Sequence, residues 1–130
     1  MNTLEICQQS VHGGGSPNST AANIFDRLFA WLDSSLVRQA AGELARECHN
    51  AVWEATYENT HGMSRNEGRG YIRAFAPEFL AREIDLVMQR RRARESLRPR
   101  ILMEAADQLV ELVIEDVWRT KGRRSLSWAA

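Results

Sequence analysis

Four carboxylates, Glu104, Asp107, Glu111 and Glu115, recur at intervals of three and four residues. Placed at about 100° per residue, they share one stripe of a helix. Carboxylates grouped in this way serve metal binding or acid–base chemistry when they converge inward beside histidines, as in helical di-iron centres. Here the opposite side of the same segment carries Leu102, Ala106, Leu109, Val113 and Val117, and no histidine joins the stripe. The pattern therefore predicts a solvated acidic face rather than a metal or catalytic centre. A similar stripe, Glu43, Glu47, Glu54 and Glu58, lies across from Val37, Ala41, Leu44, Cys48, Val52 and Ala55.

Arginine is the second residue type whose placement suggests chemistry. Sixteen of the 17 basic residues are arginine, with Lys121 the only lysine. Arg90, Arg91, Arg92, Arg94, Arg98 and Arg100 cluster, and Arg119, Lys121, Arg123 and Arg124 follow near the end. Forked guanidinium groups bind phosphates and carboxylates equally well. Two expectations follow. Arg90, Arg91, Arg94, Arg98, Arg100, Arg123 and Arg124 form a nucleic-acid-binding surface, or the same arginines neutralise the acidic helix faces, with Arg91 pairing to Glu95 one turn away.

Trp53 and Tyr57 lie one turn apart beside Arg46, His49 and Asn50, a grouping that can anchor a protein partner or stack on bases. Glu67-Gly68-Arg69-Gly70-Tyr71 offers two glycines at a helix entry, but it follows no strand and lacks the dinucleotide-binding spacing. There is no P-loop, zinc-protease helix or nucleophile elbow. Adjacent Cys48 and His49 point about 100° apart on a helix and make no nucleophile–base pair. Two cysteines, Cys7 and Cys48, neither frame a disulfide scaffold nor match a zinc site. No catalytic residue, metal or cofactor is expected.

The elements that carry these residues all read as helices. At 130 residues, 44% hydrophobic and 26% charged, the chain is long enough for one core. Residues 8–20, with three glycines and a proline, predict a flexible segment. Ser19 or Thr20 caps a first helix to Leu32, with Ile24, Phe25, Leu28, Phe29 and Leu32 on its apolar face. Asp33-Ser34-Ser35 reads as a turn, and a second helix runs to Thr60, ended by Gly62. Ser64 with Glu67 forms a capping box for a short helix through Phe75. Pro77 suits the first turn of a new helix or a kink, and the helix then runs to about Glu95. A last helix runs from the Ser96–Pro99 break to Thr120, with Gly122 as its stop.

The expected fold is an all-α, single-domain bundle of four to five helices: a flexible segment 1–18, a bundle 19–122 and a basic tail 123–130. The last helix has an unusually wide apolar arc, because Met103, Val110 and Ile114 flank its core face on one side and Ile101, Ala105 and Leu112 on the other. Such a helix is either central in the bundle or presents a flank to another molecule. No apolar run approaches the ~20 residues that span a membrane, and no secretory signal precedes the first helix. The expected protein is cytoplasmic and non-enzymatic. It engages a protein partner or a second copy of itself through Trp53, Tyr57, Met103, Val110, Ile114 and Trp128, with nucleic-acid association through the arginines as the alternative.

Overall fold

The computed structural model describes the backbone of residues 17–129 and the side chains of residues 23–123. Three long helices account for nearly all of it: α1 (Pro17–Thr56), α2 (Arg65–Arg91) and α3 (Arg98–Ala129), with single 3₁₀ turns at Glu58–Thr60 and Glu95–Leu97. No strand occurs among the described residues. The chain divides between Ser34 and Ser35 into two units. Expected residues 1–16 of the flexible segment lie outside the described residues.

The all-helical class holds, but the count is three helices rather than four to five. Asp33, Ser34 and Ser35 lie within α1. They are weak helix formers, costing under ~0.7 kcal/mol each relative to alanine, and none is Gly or Pro. Pro77 lies inside α2, with its ring exposed, while buried Ala76 and Leu80 hold the turns on either side. Gly122 lies within α3, which continues to Ala129. A single interior glycine costs only ~1 kcal/mol and does not stop a helix that has packing on its N-terminal side.

The true helix ends are well signalled locally. The Ser64 hydroxyl accepts from the Glu67 amide at 3.2 Å and caps α2, half of the expected capping box. At the other end, α2 stops four residues before Glu95. Arg92 turns into the left-handed region at φ 51°. Its amide donates to the Gln89 carbonyl at 3.2 Å and the Ala93 amide to the Met88 carbonyl at 3.0 Å. That pair of bonds is a Schellman closure made without the usual glycine. Gly62, at φ 83°, turns the chain between α1 and α2.

The core of residues 35–123 is aliphatic. Val37, Leu44 and Val52 of α1 meet Ile72, Leu80, Ile84 and Val87 of α2, and Ile101, Leu109, Val113 and Val117 of α3. Small residues at 40, 41, 42 and 45 line the inner side of α1. Helices α2 and α3 pack closely against each other. Gly68 is what permits it: a Cβ there would sit 2.7 Å from the Trp118 ring. Gly68, the first of the two glycines near the start of α2, is thus a seat for an aromatic side chain. Buried Thr56 and Thr60 satisfy their hydroxyls on the carbonyls of Val52 and Tyr57.

The wide arc of the last helix is explained by its position. Ile101 and Ala105 on one flank and Val110 and Ile114 on the other are all fully buried, because α3 contributes to the core on both sides. Val110 and Ile114 are therefore core residues of this chain, not a ridge left for a partner. Met103 and Leu112, at the margins of the arc, stay exposed.

Candidate interaction surface

Helix α2 carries arginines near both its ends, and each group answers one acidic stripe. Arg69 meets Glu111 at 2.9 Å and Arg73 meets Asp107 at 2.8 Å, which ties α2 to α3. Arg91 reaches Glu43 at 2.7 Å, and Arg90 pairs with both Glu43 and Glu47, which ties α2 to α1. Arg91 also donates to Gln39. The contact expected between Arg91 and Glu95 is not formed; Glu95 instead takes a two-pronged contact from Arg98, which also reaches Asp85 at 2.8 Å.

These pairs set the charge states. The Arg91 hydrogen bond, with the charges of Arg90, Arg91 and Arg46 behind it, holds the Glu43 carboxyl below its ordinary value against the opposing effect of burial. Arg98 does the same for Glu95. In return the Arg98 guanidinium is pushed up by its bonds to Glu95 and Asp85. Glu43 and Glu47 of one stripe, and Asp107 and Glu111 of the other, are thus half of an interhelical electrostatic lacing. Among the described residues no group of three or more His, Cys, Asp or Glu is placed to hold a metal ion. A shallow cleft of about 570 Å³ is lined by Gly42 and Arg46 of α1 and by Asp107, Glu111, Leu112 and Glu115 of α3. Two of those carboxylates are engaged by Arg73 and Arg69.

The seven arginines expected at a nucleic-acid surface are not assembled as one free patch. Arg90, Arg91 and Arg98 are in ion pairs, and Arg94 and Arg100 also have interaction partners. Arg123 is exposed, and the side chain of Arg124 lies outside the described residues.

Of the residues expected at a protein-binding surface, Trp53 and Tyr57 stack on each other, with ring centroids 4.6 Å apart and planes 19° apart, and His61 meets the Tyr57 ring edge-on at 5.2 Å. Tyr57 is buried and Trp53 packs partly buried against the core, so the pair braces the end of α1. Lys121 closes the same end: its ammonium donates to the Thr60 carbonyl at 2.7 Å and lies over the Trp118 ring, and burial lowers its pKa. Cys48 is buried, donates to the Phe79 carbonyl and has its thiol pushed up to about 11 by desolvation, so it is a poor nucleophile. Val110 and Ile114 are in the core, Met103 is 68% exposed, and the Trp128 side chain lies outside the described residues.

The surface that emerges lies elsewhere. Ile24, Phe25, Leu28, Phe29, Trp31 and Leu32 of α1 are each between 46% and 62% exposed. At 100° per residue they cover an arc of about 160°. The opposite side carries Asn23, Asp26, Arg27 and Ala30, all exposed as well. Five of the six apolar positions are the ones whose spacing predicted a core-facing helix. Trp31 completes the arc. The periodicity identified an apolar face but not its exposure among the described residues. Only Leu86, Met103 and Leu112 are other exposed large apolar residues among those described, and they are scattered along α2 and α3.

Comparison with protein-family models, with curated proteins and with solved structures finds no match.

Proposed function

We propose that this chain is a non-enzymatic helical protein–protein interaction module, and that residues 24–32 of α1 are its contacting face. One observation carries the reading: six large apolar side chains, three of them aromatic, are concentrated on one side of two and a half helical turns and stand open to solvent. Contiguous exposed apolar surface of this kind marks an interaction site, and aromatic anchors dominate binding energy where they are buried. Helical segments of this length gain most of their stability from packing an amphipathic face, so the segment needs a cover to be firmly helical. The arginines engaged in ion pairs support an interaction role over nucleic-acid binding. No helix among the described residues is long and apolar enough to cross a membrane. A cytoplasmic setting, where buried Cys48 stays a free thiol, belongs to the same proposal.

The test is sedimentation of the full chain at low and high salt, with and without duplex DNA. An apolar interaction module keeps its sedimentation unchanged by the DNA, and salt leaves its self-contacts intact. Co-sedimentation with DNA that is lost as salt rises would replace this reading by phosphate binding through the arginines, because phosphate contacts release counterions.

A further inference from the structure

Resting on that reading of residues 24–32, we propose that the occupant of this face is the same face of a second copy of the chain. The argument begins with area. Large apolar side chains of this type present ~150–250 Å² each. At the exposures observed, the six leave roughly 700 Å² open, against ~800 Å² contributed by each partner in a standard stable interface. A single patch of that size is large for a chain that stands alone, where the largest is ~300–600 Å².

Composition then selects the partner. A closed twofold contact joins one patch to itself, so the patch must be self-complementary. An apolar helical face meets this condition, since Phe25, Phe29 and Trp31 need only apolar counterparts and an identical stripe supplies them. The flanking charges are Asp26, Arg27 and Asp33, a net of one negative charge, so two copies meet with little repulsion. The same near-neutral flank disfavours two other occupants. An anionic membrane surface recruits helices whose polar side is rich in lysine and arginine, and here there is one arginine against two aspartates. A strongly charged partner would find no complementary field. The chain's own residues 1–16 hold only Met1, Leu4, Ile6 and Val11 as large aliphatic side chains, among three glycines, too little to match six residues with three aromatics.

The arc of about 160° is also wider than the narrow seam of a two-stranded coiled coil. Each copy's segment therefore packs broadly against its counterpart, with Leu28 and Leu32 near the middle and Trp31 and Phe29 at the margins.

The experiment is sedimentation equilibrium of the full chain over a wide concentration range, beside a variant carrying Phe25→Glu and Leu28→Glu. Both side chains are exposed, so the variant keeps the helical circular dichroism and cooperative melt of residues 35–123, and any loss of helix is confined to the segment that the contact would cover. A milder variant, Phe29→Gln with Trp31→Gln, serves if the first loses helix. The wild type is expected at twice the monomer mass or more, and the variant at the monomer mass. A wild type that is monomeric throughout overturns the proposal, as does an assembly that the substitutions leave intact. Binding of an apolar fluorescent dye separates this failure from that of the broader reading. A monomer that binds dye, with the binding lost in the variant, retains an interaction face whose partner is another protein. A monomer that binds none has the face covered by its own chain, and both readings fall.

Discussion

Gly68 and Gly70 lie two residues apart in α2 and have opposite tasks. A methyl at Gly68 would meet the Trp118 ring at 2.7 and 3.0 Å, while one at Gly70 meets nothing within 4 Å. Alanine is the better helix former by ~1 kcal/mol at either position. Gly70→Ala should therefore raise stability by ~0.5–1 kcal/mol. Gly68→Ala must displace the ring and should lower stability by ~1–3 kcal/mol, the usual range for overpacking. Denaturant melts of the two variants check the sign. Glu43 supplies a second test at this scale. Its carboxyl is held below its ordinary value by Arg91 first of all, so the charged form is favoured in the folded state. The stability it contributes is fully present above its unfolded pKa and is lost as pH falls through the lowered folded value. Glu43→Gln should cost ~1 kcal/mol at neutral pH, the upper end for a partly exposed pair. The gap between variant and wild type should close in acid, as thermal melts at about pH 7 and about pH 3 would show.

At the scale of elements, the sequence told most where one helix side is plainly apolar and the other plainly acidic. The core positions Val37, Ala41, Leu44, Cys48 and Val52 of α1, and Leu109, Val113 and Val117 of α3, were legible in that contrast. Helix boundaries were less so. The apolar pattern of residues 24–32 and that of residues 37–52 are out of register across Asp33-Ser34-Ser35, and a register change beside good cap residues looks the same as a turn. Pro77 and Gly122 mislead in the same way, since local punctuation is outweighed by packing on either side. The wide arc of α3 announced an extra neighbour without naming it, because one helix's pattern does not say how many others surround it. The arginines were legible as a cluster, but their partners are 34 to 48 residues away in sequence for Arg73 and Arg91, and only the fold brings them together. From the burial of α3, Leu109→Ala should cost ~2–5 kcal/mol. Ile114→Glu should abolish the cooperative melt, because it places a charge in an aliphatic core with no partner. A stable Ile114→Glu monomer would mean that this flank of α3 is not inside the chain's own core.

At the scale of the whole molecule, residues 35–130 form one unit around an aliphatic core, and the other unit carries one amphipathic stretch. Six apolar side chains at residues 24–32 stand in water while the acidic and basic stripes satisfy each other. The central claim is that this stretch is covered by another molecule, most directly a second copy. Amide hydrogen exchange followed at high and low protein concentration tests it at the site itself, because protection reports local opening. The account predicts protection at residues 24–32 that is strong in concentrated solution and falls on dilution, with the amides of α2 and α3 unchanged. Fast exchange at residues 24–32 at every concentration would contradict it.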